Sequence, residues 1–366
     1  MIRVLHVVSS IGRRSGVMSL LMNYYRTIDR KKIIFDFAYY FEKDETFKEE
    51  IEEYGGKIYK IDKPSINGKY KTQFTNILLE NNYKIIHCHP IYSCFFFGKV
   101  CRKNGVEHFI QHSHSSKYGN NIISTTRNKI LMNLFNKTIT DYAACSVEAL
   151  NLFPQKIRKQ NKYTIFTNAI DAKKYIFNKE ERKKIRAEFN IQNDTTVIGH
   201  VGRFSTEKNH MQLLKIFKDY NKRNNNSILL LVGDGDLKKE IENAAKKMNI
   251  YNKIIFAGIR NNVNDILSAF DYFIFPSIYE GLGIVAIESQ ANGLLTICSK
   301  GIPDEAIITS YAIKTDTNNI NEVIRIIESN SNYMRKDMYK TILETGYDIN
   351  RQAKYIENYY IELSNN

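Results

Sequence analysis

The chain has 366 residues, 43% of them hydrophobic and 25% charged, with only 5 prolines. That length exceeds what one core fills, so two domains are expected, and the composition excludes a disordered chain. Lys and Arg number 53 against 39 acids, a formal net charge of +14 that favours anionic partners such as nucleotides, nucleic acid or an anionic membrane face.

The first segment, "IRVLHVVS", is a short apolar run that reads as a strand, and "GVMSLLMNYYRTI" follows with helical periodicity. "KIIFDFAYY", "GKIYKID", "YKIIHCHP", "EHFIQHSHS" and "DYAACS" continue the strand series to about residue 150. "TFKEEIEEYG", "QFTNILLENN", "FFFGKVCRKNG" and "RNKILMNLFN" supply the intervening helices. Such alternation predicts a parallel sheet covered by helices on both faces. A polar, charged stretch around residues 171–195 interrupts it, including "KEERKKIR", which reads as a helix with its charges mostly solvated. The series restarts with "TTVIGHVGRF" and "HMQLLKIFKDYNK" and runs through "SILLLVGDG", "KIIFAG" and "DYFIFPS" to "LGIVAIESQANG" and "LLTICSK". The final "INRQAKYIENYYIELS" is an amphipathic helix with no strand after it. Two doubly wound α/β domains are the natural reading, with ligand beyond the carboxyl ends of the strands, in the cleft where the domains face.

"MIRVLHVVSS" lacks a signal peptide's long apolar segment, and no apolar run approaches the ~20 residues that span a bilayer. A cytoplasmic protein with at most a peripheral hold on the membrane is expected. Cys88, Cys94, Cys101, Cys145 and Cys298 form no C-x-x-C pair, so neither a zinc ribbon nor a disulfide framework is supported.

Chemistry is expected just after strands. Gly12 and Gly16 flank Arg13 and Arg14 before the first helix, a loop able to offer backbone N–H groups to a phosphate, although a plain tight turn fits equally. His112 and His114, and likewise His87 and His89 around Cys88, are expected to point to opposite faces of their strands, which opposes a shared metal. "GRFSTEKNH" brings Arg203 and Lys208 onto one strand-to-helix loop, where two cations beside a helix N-terminus suit a diphosphate. Gly233, Gly235 and Gly258 mark two further strand ends.

"YEGLGIVAIE" places Glu280 in a loop and Glu288 inside the helix that follows, with Gly281 and Gly283 keeping the turn narrow. Eight helical residues span about 12 Å, comparable with the reach of a nucleotide-sugar. One acid can then bind a sugar hydroxyl and the other ribose, with the amides of Leu282, Gly283, Ile284 and Val285 facing the diphosphate.

Together these residues resemble family 4 of the retaining GT-B glycosyltransferases over essentially the whole chain. The paired-glutamate signature "EGLGIVAIE" is the most specific match, supported by "GRFSTEKNH", "GDG", "FAGIR" and "TNAID". "MIRVLHVV", "MNYYRTIDRKKIIFDF", "HCH" and "HSHSS" give the nearest likeness to bacterial capsular and exopolysaccharide transferases. The resemblance implies a GT-B fold with an acceptor-side Rossmann-like domain over 1–170, helix 349–366 packing back on it, and a nucleotide-sugar domain over 171–348. It implies that Arg203 and Lys208 hold the donor diphosphate, Glu288 the ribose and Glu280 the donor sugar. The base lies against Gly258, Ile259 and Arg260, Gly16 approaches the phosphate, and His114 rather than His112 sits near the reacting sugar. The implied reaction retains anomeric configuration while moving a sugar, from a UDP-sugar on family precedent, to a lipid-linked or oligosaccharide acceptor. It needs no cofactor and no metal.

The first loop, "RRSGVMS", departs from the two adjacent glycines and glutamate common in that family, and "ANGLLTI" lacks its usual proline. A nucleotide-sugar epimerase or a phosphorylase would use the same two domains. A nicotinamide dehydrogenase would want G-x-G-x-x-G after the first strand, which is missing. A nucleic-acid-binding protein would account for the charge alone.

Overall fold

In the computed structural model, residues 1–365 are described apart from 14, 44, 66–67 and 115–121, so Arg14 and the Ser115–Ser116 end of "HSHSS" lie outside the described residues. The chain divides into two compact units, Met1–Ala169 with Ile349–Asn366, and Ile170–Asp348.

The strands of the first unit are β1 (Ile2–Val7), β2 (Ile33–Tyr39), β3 (Ile58–Lys60), β4 (Ile85–Cys88), β5 (His108–Ser113), β6 (Asp141–Ala144) and β7 (Thr164–Ile165). They pair in parallel in the order β3-β2-β1-β4-β5-β6-β7. Helices on both faces make the inner strands near-continuous apolar runs. All of β2 is buried, Asp36 included. That carboxylate is accommodated by Arg3, whose Nε lies 2.7 Å from it, by the Tyr83 hydroxyl at 2.7 Å and by the Lys57 N–H at 2.6 Å. The terminal helix Ile349–Asn365 belongs to this unit and packs on the helix Gly16–Thr27. Its buried stripe of Ile349, Ala353, Ile356, Tyr360 and Leu363 follows helical spacing.

The second unit repeats the plan with β8 (Thr196–Val201), β9 (Ser227–Val232), β10 (Ile254–Gly258), β11 (Tyr272–Phe275), β12 (Leu295–Ser299) and β13 (Ala312–Thr315). The order is β10-β9-β8-β11-β12-β13, again parallel, so the winding reverses between β8 and β11. Close approach there demands glycine: a Cβ on Gly199 of β8 would lie 2.0 Å from the Phe270 ring.

The stretch read as a solvated interruption is part of this unit. Helix Lys179–Glu188 packs against helix Val263–Ala269, and Arg186 is only 2% exposed. Asp271 gathers both arginines, Arg182 at 2.6 Å and Arg186 at 2.7 Å, while the lysines of that helix stay outside. Strand β13 and helices Ile320–Ser329 and Tyr339–Glu344 add elements beyond the predicted series.

Candidate active site

Ligands of doubly wound sheets collect beyond the carboxyl ends of the strands where the winding reverses. In the second unit that position belongs to the loops after β8 and β11, which carry Arg203, Lys208 and the segment 280–285. Backbone contacts bind these loops together. The Ile278 N–H donates to Glu207 O at 2.7 Å, and the Glu280 N–H donates to Gly301 O, after β12, at 3.1 Å. Gly233, at the end of β9, takes φ +135°, and a Cβ there would lie 2.1 Å from Gly202 O. Only glycine allows that approach without displacing the neighbouring loop.

Glu280 and Lys208 meet on this rim. The ammonium lies 2.6 Å from Glu280 Oε1, both side chains partly buried, and stacks 5.0 Å above the Phe275 ring. A pair so placed holds a carboxylate acceptor and a cation side by side before any ligand arrives. Arg203 is exposed on the same loop. Gly283 takes φ +81° and leads into helix Ile284–Ala291, with no side chain bonded to its first amides as a cap. Helix-start amides without a side-chain cap favour an anion. Gly281 and Ile284 are partly exposed there, whereas Leu282 and Val285 are buried in the core of the unit.

Glu288, one turn into that helix, accepts a 2.8 Å hydrogen bond from the Tyr175 hydroxyl. Burial pushes its carboxyl up to about 7, with the Tyr175 bond acting in the opposite direction. Tyr175 is raised in turn, by its own burial and by Glu288. Gly258 takes φ +69° at the end of β10, and Ile259 beside it is 58% exposed. The Arg260 guanidinium pairs with Glu188 at 2.7 Å and lies over the Phe189 ring, which fixes its stem beside that exposed isoleucine.

In the first unit, Gly16 opens helix Gly16–Thr27, capped by Ser15, and a Cβ there would meet nothing within 4 Å. His114 lies just past β5, partly exposed. Here the structure corrects the sequence reading. His112 and His114 do not point apart: their rings stack with centroids 3.9 Å apart. His87 and His89 also stack, at 4.6 Å. Residues separated by one position share a strand face, because the side-chain period is 2. The geometric objection to a shared metal therefore falls. His6 of β1, not anticipated from sequence, joins the same group with its Nδ1 3.0 Å from His89 Nε2. The spacing V-x-H in "RVLHVV" carried that signal, since it puts His6 on the face of Val4. Tyr175 had no such signal, because its contact with Glu288 spans 113 positions.

A family model described as "Glycosyl transferases group 1" matches residues 181–342. A Bacillus subtilis protein carrying the glycosyltransferase name EpsF is 30% identical over 371 aligned residues, covering 98% of this chain and 96% of the relative. The Escherichia coli UDP-Gal:alpha-D-GlcNAc-diphosphoundecaprenol alpha-1,3-galactosyltransferase is 24% identical over 78% of this chain and 77% of its own length. Among solved structures, HepE of Anabaena in complex with UDP aligns with a TM-score of 0.75 at 17% identity, covering 100% of this chain and 98% of that one. That likeness establishes the fold, two Rossmann-like units of the GT-B kind, and the full-length match to EpsF settles the lineage. The chain belongs to the group 1 glycosyltransferases and is a glycosyltransferase of the GT-B fold.

Proposed function

We propose that the enzyme transfers a sugar, with retention of anomeric configuration, from a nucleotide-sugar of the UDP class to a hydroxyl of a lipid-linked glycan or oligosaccharide in capsular or exopolysaccharide synthesis. The Lys208–Glu280 pair beside the helix start at Gly283 carries this reading. Charge growing on the leaving diphosphate is met by Lys208, Arg203 and the amides of 282–285, preorganised where a transition state is stabilised most effectively. Glu280 accepts from hydroxyls of the donor sugar, and Glu288 from ribose. The uracil base rests against Gly258, Ile259 and the stem of Arg260. On the acceptor side Gly16 leaves room for a phosphate, and His114 lies at the reacting sugar. The leaving phosphate itself takes the acceptor proton, which leaves no separate base to assign, and Arg203 and Lys208 stand at the diphosphate in place of a divalent ion.

The UDP complex of HepE and the name of the E. coli relative support the donor class and the lipid-linked acceptor. No helix among the described residues is long and apolar enough to cross a membrane. A cytoplasmic enzyme held peripherally at an anionic leaflet suits that feature and the charge of +14.

Calorimetric titration with UDP tests the assignment. Wild type is expected to bind, Glu288→Ala to bind at least tenfold more weakly, and Glu280→Gln to retain UDP while losing turnover with a UDP-sugar. Equal UDP affinity in wild type and Glu288→Ala removes the ribose assignment, and no UDP binding at all removes the donor class.

A further inference from the structure

An H-x-H motif repeated on two neighbouring parallel strands builds a block of imidazoles on one face. Strand β4 carries His87, with His89 just beyond its end, and β5 carries His112, with His114 just beyond. The register pairs Cys88 with Gln111, so the next position sets His89 beside His112. His6 of β1 stands in register with His87 and completes the block. Ring centroids of His89, His112 and His114 lie 5.3 Å, 5.0 Å and 3.9 Å from one another.

Hydrogen bonds link the rings of this block to one another and to Tyr360. His89 Nε2 is 3.0 Å from His6 Nδ1, and His112 Nδ1 is 3.1 Å from His87 Nε2. His87 Nδ1 lies 2.6 Å from the Tyr360 hydroxyl. On the remaining sides of these rings, His89 Nδ1 and His114 Nε2 share a 2.7 Å hydrogen bond, and His112 Nε2 is buried with no hydrogen-bond partner. One nitrogen from each of these three rings lies within 4.8 Å of the other two.

We propose that His89, His112 and His114 form a three-imidazole site for a divalent transition metal of the zinc class, with His6 and His87 as outer hydrogen-bond partners. The inference goes beyond the transferase reading and does not rest on it. Imidazole nitrogen suits zinc and its neighbours, whereas magnesium and calcium want oxygen. Nitrogens bound tetrahedrally at zinc stand about 3.4 Å apart, within the range these rings already span. Binding requires that the ion replace the proton shared by His89 Nδ1 and His114 Nε2 and that each ring keep its proton on the outer nitrogen. The His89 Nε2–H then donates to His6 Nδ1, the His112 Nδ1–H to His87 Nε2, and the His87 Nδ1–H to the Tyr360 oxygen. Outer partners of this kind orient metal-binding histidines. Partly exposed His114 gives the ion its entry, and a water or hydroxide fills the fourth position. The unpartnered His112 Nε2 gains the ion as its partner.

The test uses the full chain without an affinity tag, stripped with a chelator and dialysed against Zn²⁺. One equivalent per chain is expected, with an X-ray absorption shell of three imidazole nitrogens and one oxygen at about 2.0 Å. His89→Gln and His112→Gln should each weaken binding at least a hundredfold. His6→Gln should weaken it about 10- to 100-fold as an outer partner. His108→Gln, at the far end of β5 and hydrogen-bonded to Asp141, should leave it unchanged. No zinc retained at micromolar free ion, a shell of sulfur or oxygen alone, or unaltered binding in His112→Gln overturns the proposal. If the substituted chains do not fold, the absorption shell of wild type decides alone.

Discussion

Glu288→Gln should make the second unit more stable at alkaline pH while impairing what the unit binds. Burial raises the Glu288 carboxyl from the ordinary 4.5 to about 7. A group raised in the folded state keeps its proton more tightly there than in the unfolded chain. Its stabilising effect is therefore complete below pH 4.5 and is lost as pH rises through 7. The displacement corresponds to about 3 kcal/mol at pH 8, where the unfolded chain is ionised and the folded group is forced to follow. The residue is partly exposed, and solvent screening reduces the figure to about 2 kcal/mol. Glutamine keeps an oxygen for the Tyr175 hydroxyl and cannot ionise. The variant should therefore gain about 2 kcal/mol over wild type at pH 8 and less than about 1 kcal/mol at pH 5. Urea denaturation followed by hydrogen exchange in β11 and β12 isolates this unit from the other. An equal gain at both pH values, or none at pH 8, refutes the reasoning. A stabilised variant that also loses UDP affinity would mark Glu288 as a position where binding is maintained against stability.

Arg203→Ala and Lys208→Ala should each lower kcat on the order of a hundredfold, with a smaller change in acceptor KM. Lys208→Arg should recover only part of it, because a planar fork does not replace a point charge; near-normal turnover in both alanine variants would place the stabilisation elsewhere. Gly233→Ala should cost the second unit about 3 kcal/mol, read as a lower melting temperature, since its Cβ would meet Gly202 O at 2.1 Å in a left-handed backbone. An unchanged melt would show that the rim yields freely. Binding to vesicles should be salt-sensitive on anionic lipid and weak on neutral lipid, at ~1 kcal/mol for each Lys or Arg near the surface; equal binding to both removes the electrostatic argument.

Most strands and the loop glycines were legible because they answer to local rules: the apolar run of a doubly covered strand, and the backbone freedom that a tight turn needs; the two-residue β7 was not. So was the terminal helix, whose stripe repeats at helical spacing. What escaped was set by register or by distance in sequence. The histidines were visible as residues but not as a block, because their meeting depends on β1, β4 and β5 lying side by side in matched register. Arg186 looked solvated among its lysines, and Asp271, 85 positions away, turns it inward together with the carbonyls of Ala269, Gln192, Asn193 and Thr195. Tyr175 on Glu288 is of the same kind. Strand β13 is a four-residue strand at the edge of its sheet, too short to stand out from a turn. Helix Ile320–Ser329 did carry a signal, with Asn319 accepting from the Glu322 N–H as a cap, and its apolar spacing merited a prediction.

The return of the final helix to the first unit sets an order of assembly during synthesis. Residues 1–169 leave the ribosome first, yet their sheet lacks the cover of Ile356, Tyr360 and Leu363 until the last segment emerges. His87 waits for a hydroxyl partner 273 positions downstream. The second unit runs without interruption from Ile170 to Asp348, its two ends meeting where Ile170 pairs with Asp348, so it can close without the residues that follow. The half made first is thus completed last, and for that interval an apolar sheet face stands open to chaperones or to other nascent chains. A premature stop before Ile349 would leave the nearer unit whole and damage the one at the opposite end of the message.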